Sequence, residues 1–123
     1  MFLNLAPTKL DAYQRSLEFV SECYRYSKTL PAEERFNLIQ QIRRAAISVH
    51  LNISEGSTRQ SPVKRKRFYE LSRGSVVEID AALNACTALG YTTQENAEPL
   101  GAILVKTYQC LTGLIRSCSQ TIQ

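Results

Sequence analysis

Between Gln40 and Gly56 the apolar side chains Ile42, Ala45, Ala46, Val49 and Ile53 recur at three- and four-residue steps. That is the period of a helix face packed on a core. Arg44, Ser48, Asn52 and Glu55 follow each other at four, four and three residues, so they form a second stripe on the same helix. Ser and Asn are mediocre helix formers that Ala or Lys would improve on, so this stripe is expected to hydrogen-bond across to a neighbouring helix. Gly56 is expected to end the helix as a left-handed C-cap.

Three more helices flank this one. The first is expected over about residues 8–27, with Thr8 as cap and Asp11 three residues on. Its apolar face reads Leu10, Tyr13, Leu17, Val20 and Tyr24, widened by Phe19, Cys23 and Tyr26. Leu30-Pro31 breaks it and starts the second, about 32–55, with Glu33 and Glu34 in the first turn where the helix dipole favours negative charge. Ser61 caps and Pro62 opens the third, about 62–89, which is expected to turn Phe68, Leu71, Ser75, Ile79, Ala82, Leu83, Cys86 and Leu89 inward. Gly74 in mid-helix costs about 1 kcal/mol relative to Ala, which suggests close packing there. Gly90-Tyr91 ends the element, and Thr92 with Glu95 forms a capping box for the fourth helix, about 94–120. That helix buries Leu100, Ile103, Leu104, Leu111, Leu114, Ile115 and Cys118.

Helices of this length on short links predict an all-α fold, an antiparallel up-down-up-down four-helix bundle forming a single domain over residues 1–123. With the second turn centred near residue 59, Arg44 falls near Ser75 and Glu78, Ser48 near Leu71, Asn52 near Arg67 and Glu55 near Lys64. Leu38, Ile47, Leu51, Val76, Val77 and Val105 exceed what one bundle core needs, and a homo-oligomer would use the surplus.

Charge is uneven. From Arg35 to Arg73 nine basic residues face two acidic ones, a local charge of +7, while the remainder sums to −3. Such a basic zone is the footprint of a phosphate-binding surface. No signal peptide or membrane span is expected, which predicts a soluble, cytoplasmic protein. Cys23, Cys86, Cys110 and Cys118 lack Cys-x-x-Cys spacing and read as reduced core thiols, with no metal and no cofactor expected.

Several of these residues also carry a resemblance. Leu30-Pro31, Gln41-Ile42-Arg43-Arg44-Ala45-Ala46, Ser48, Asn52-Ile53, Glu55-Gly56, Arg59, Phe68, Leu71, Arg73-Gly74-Ser75 and Glu78 resemble the bacterial four-helix-bundle proteins associated with intervening sequences in 23S ribosomal RNA genes. The resemblance spans essentially the whole chain, in order and with matching spacing. It implies a ring-like homopentamer and a distant relation to the accessory variability determinant of diversity-generating retroelements, which works with a reverse transcriptase. The sequence departs from the family pattern at His50-Leu51 and at Ser54, and its basic run Lys64-Arg65-Lys66-Arg67 is denser.

For chemistry the chain offers little. His50 could act as a base, yet no Ser or Cys nucleophile with an orienting carboxylate is indicated beside it, so no enzyme activity is expected. The favoured reading is a non-enzymatic oligomer that binds RNA or DNA phosphates through Arg43, Arg59, Lys64, Arg65, Lys66, Arg67 and Arg73. Such an oligomer would act as accessory to a reverse transcriptase or to ribosomal RNA processing. Arg44, Ser48, Asn52, Glu55, Ser75 and Glu78 are expected to form a structural polar network, with Arg44 and Glu78 as an ion pair. The alternative is an oligomeric scaffold that grips a partner protein without nucleic acid.

Overall fold

The structure is a computed structural model that describes Phe2, Leu3, Leu5 and residues 10–122. Among these residues there are four α-helices and no strand: α1 (Asp11–Ser27), α2 (Leu38–Ser57), α3 (Pro62–Ala88) and α4 (Gln94–Ile122). Helix α1 packs on α2 and α4, and α3 packs on α2 and α4, so the helices close a cycle around one core, as in a bundle. The expected cap Thr8 lies outside the described residues.

Helix α2 starts six residues later than the sequence suggested. Pro31 leads into a 3-10 turn, Ala32–Glu34, and Asn37 at φ −129°, ψ −98° breaks the run before Leu38. Leu30 and Leu38 are buried, but Phe36 between them is 80% exposed. With no buried side chain between Leu30 and Leu38 to anchor a helix on the core, helical packing begins only at Leu38. From there the face is the expected one, with Ile42, Ala45, Ala46, Val49 and Ile53 all buried.

Gly56 does not cap α2. The helix continues through Ser57, and Thr58 follows in ordinary right-handed conformation. Gly56 is instead a contact point, because a Cβ there would lie 2.9 Å from Cβ of Phe68 and 3.1 Å from the Tyr69 ring. The missing side chain lets α3 approach and admits the Tyr69 ring to the interior. Gly74, expected to do this, has open space around it.

That approach rotates α3 away from its expected face. Tyr69, Ser72, Val76, Ile79, Leu83 and Cys86 are buried, whereas Leu71 and Leu89 are exposed. Two polar residues can occupy the interior because each finds a partner: Ser72 Oγ donates to the Val49 carbonyl at 2.8 Å, and the Tyr69 hydroxyl lies 2.8 Å from Ser57 Oγ. On α1 the core residues are Ala12, Ser16, Phe19, Cys23 and Tyr26, while Leu17 is exposed. Helix α4 buries Leu100, Leu104, Leu111, Ile115 and Cys118 as expected, with Ile103 and Leu114 partly covered.

The ends of α3 and α4 have local causes. Gly90 at φ +77° ends α3, with its N–H donating to Thr87 and the Tyr91 N–H to Cys86, the hydrogen-bond pair of a Schellman turn. Thr93 caps α4, its Oγ1 accepting from Asn96 N at 3.2 Å. Thr92, the expected cap, is buried instead.

Candidate nucleic-acid interface

The α2–α3 connection gathers the basic run at one end of the bundle. Ser61 Oγ accepts from Lys64 N at 3.4 Å and Pro62 takes the first helical position, so α3 begins abruptly. In its first turn Pro62 has no N–H and that of Lys64 goes to Ser61, which leaves the Val63 N–H for an anion. Lys64 and Arg67 sit three residues apart on one stripe, both exposed, and neither has an ion-pair partner among the described residues. Lys66 is half-buried. Arg65 turns inward, and its Nε is buried without a hydrogen-bond partner in a cleft of about 310 Å³ beside Ser57, Tyr69 and Cys118.

Other expected contacts are replaced. Arg59 pairs with Glu55, which had been expected beside Lys64, and its guanidinium lies 5.2 Å above the Phe68 ring. Arg43 donates from Nε to Ser27 Oγ at 2.8 Å and lies 4.9 Å above the Tyr24 ring. Arg73 donates from Nη1 to Thr112 Oγ1 at 3.2 Å and lies 5.7 Å from the Tyr108 ring centre. The seven cations therefore divide. Five surround the α2–α3 turn, while Arg43 is tethered against α1 and Arg73 against α4.

The polar stripe of α2 divides as well. Ser48, expected near Leu71, meets Ser75 one turn further along α3, with the two hydroxyl oxygens 3.0 Å apart. Asn52 Nδ2 donates to the Ser48 carbonyl at 2.9 Å and to Ser48 Oγ at 3.0 Å. No hydrogen bond joins Asn52 to Arg67. Arg44 and Glu78 are both exposed and line one open cleft of about 370 Å³ with Gln41, Ser48 and Ser75, but form no ion pair. The network is thus Ser48, Asn52 and Ser75, with Arg44 and Glu78 at its rim and Glu55 apart.

A serine stands beside His50 that the sequence did not indicate. Ser16 Oγ lies 2.7 Å from His50 Nδ1 and donates to the Tyr13 carbonyl at 2.7 Å. That hydroxyl has one proton for the two acceptors; when it goes to the Tyr13 carbonyl, His50 carries its own proton on Nδ1 and donates it to Ser16, leaving Nε2 as acceptor. The Tyr13 ring meets the imidazole edge-on at 4.7 Å, and burial lowers the His50 pKa below its ordinary 6.5. Ser16 is wholly buried, so its oxygen holds the imidazole in place and cannot reach a solvent-borne substrate. The only trace of this in the sequence is a polar residue at a core step of α1.

The cysteines are all free, with Cys23, Cys86 and Cys118 buried and Cys110 partly so. Burial pushes the Cys23 thiol up to about 12, which keeps it protonated and unreactive. Among the described residues no cluster of His, Cys, Asp or Glu could hold a metal ion, and no helix is long and apolar enough to cross a membrane.

Comparison with known proteins adds a lineage to this geometry. Among curated proteins there is no match. A protein of unknown function from the S23 ribosomal protein family of Bacteroides thetaiotaomicron, solved by crystallography, shares the fold with a TM-score of 0.78 and 24% identity over 85% of this chain and 95% of its own. The sequence profile of the 23S rRNA-intervening sequence protein family matches residues 8–113.

Proposed function

Because the chain belongs to the 23S rRNA-intervening sequence protein family, we propose that it is a non-enzymatic, oligomeric nucleic-acid-binding protein that takes structured RNA or DNA by its phosphates. The reading includes antiparallel up-down-up-down order of the helices, assembly as a ring-like homopentamer in the cytoplasm, and service to a reverse transcriptase or to ribosomal RNA processing. The observation that carries it is the pair Lys64 and Arg67, exposed and without an internal acid at the open N-terminus of α3. Two cations beside a helix N-terminus bind phosphate weakly in one protomer. Repeated around a ring, they bind a polyanion by avidity.

Light scattering coupled to binding of structured RNA and duplex DNA across a salt series tests this. On duplex DNA, log K should fall with log salt by about 0.9 per phosphate neutralised, with little sequence preference. The double variant Lys64→Gln/Arg67→Gln should bind more weakly and with a shallower slope. An oligomer that ignores both nucleic acids at low salt sinks the reading and favours a protein-binding scaffold.

A further inference from the structure

The bundle carries two apolar surfaces that nothing in the protomer covers. One is a groove of about 640 Å³ along α2 and the turn before it, where Phe36 (80% exposed), Leu51 (59%) and Ile47 (37%) stand beside Arg35, Arg43 and Arg44. No acid lines it. The other runs along α3 and α4, where Val77 (53%), Val105 (51%) and Tyr108 (39%) stand beside Asp80 and Glu98, with the Arg73 guanidinium at its edge, 5.7 Å from the Tyr108 ring centre. The first surface belongs to the α2 side of the helix cycle, the second to the α3/α4 side.

The two surfaces match each other in chemistry and share no residue. None of Arg35, Arg43, Arg44, Asp80 and Glu98 has an ion-pair partner among the described residues, so each charge is available to another molecule. Arg43 is held in place by Ser27 and the Tyr24 ring, and Arg35 lies 5.2 Å above Phe36, so these two cations of the groove are oriented before anything arrives. A polyanion would find the charges but not a use for the apolar floor. A second copy of this chain supplies both the apolar strip and the acids.

We propose that the α2 groove of one protomer receives the α3/α4 strip of the next, so that copies join head to tail through two different faces. The inference rests on the oligomeric reading above and specifies its interface. Contact between unlike faces leaves one groove and one strip open in any linear array, and only ring closure covers them all. It also places Arg43 in the assembly contact rather than on the nucleic-acid surface.

The test uses two blocked variants, each checked for helicity: Leu51→Glu spoils the groove and Val105→Lys spoils the strip. Each alone should fall to the protomer mass of 13.9 kDa by light scattering. Mixed, they retain one intact groove and one intact strip between them and should form a species of twice that mass that grows no further. The charge variants Arg35→Glu and Asp80→Lys, which alter exposed side chains only, should show the same pattern more weakly. If both blocked variants keep the wild-type oligomer, or if the mixture stays at protomer mass, the assignment of faces is wrong while oligomerisation stands. If the wild type is itself a protomer at micromolar concentration, the oligomeric reading fails and the inference with it.

Discussion

Gly56 is the position at which one methyl group decides a helix pair. Its absent Cβ makes room for the Phe68 Cβ and the Tyr69 ring, so Gly56→Ala should destabilise by about 1–3 kcal/mol, as overpacking does, measured by urea unfolding. Gly74 is the control, since an added Cβ there meets nothing within 4 Å. Gly74→Ala should stabilise the fold by up to about 1 kcal/mol from helix propensity alone. His50 makes a pH prediction. Its folded pKa is depressed by burial, so below the unfolded value of 6.5 the unfolded chain takes up a proton that the folded imidazole resists. Stability from this residue is therefore complete above that value and declines as pH falls toward the lower folded pKa. Unfolding free energies compared above and below pH 6.5 should show the decline in the wild type and a smaller one in His50→Gln. The sequence showed His50 without its setting, because Ser16 is 34 positions away and only the packing of α1 on α2 brings them together.

At the scale of elements, the contact between α2 and α3 is where polar residues do the specifying. Ser72 on the Val49 carbonyl, Tyr69 on Ser57 and Ser75 on Ser48 fix which face α3 presents and in what register. Hydrophobicity ranks Phe68 and Leu71 above Tyr69 and Ser72, so a reading by apolar period alone turns α3 the wrong way. The interior accepts the polar pair because each hydroxyl is satisfied, and an unsatisfied one would cost about 1–3 kcal/mol. A double-mutant cycle on Ser48→Ala and Ser75→Ala should give a coupling of about 0.5–1 kcal/mol. The same cycle on Arg44→Ala and Glu78→Ala should give close to zero, with single losses under about 1 kcal/mol, because both side chains are exposed and do not pair.

At the scale of the whole molecule, the basic zone of the sequence is not one surface. Lys64 and Arg67 stand free at one end, while Arg43 is tethered against α1 and Arg73 against α4. At low salt, Arg73→Gln should weaken nucleic-acid binding much less than the Lys64→Gln/Arg67→Gln pair, and equal losses would show that phosphate is held around the bundle rather than at its end. The four helices, the core stripes of α2 and α4, and the Ser61-Pro62 and Gly90 boundaries follow from the sequence alone. Each is set within a few residues, by a period, a cap or a backbone preference. The rotation of α3, the role of Gly56, the late start of α2, the partner of His50 and the division of the cations came only with the tertiary structure. Those features depend on which side chain from a distant segment fills a space or satisfies a hydrogen bond, and local periodicity does not contain that information.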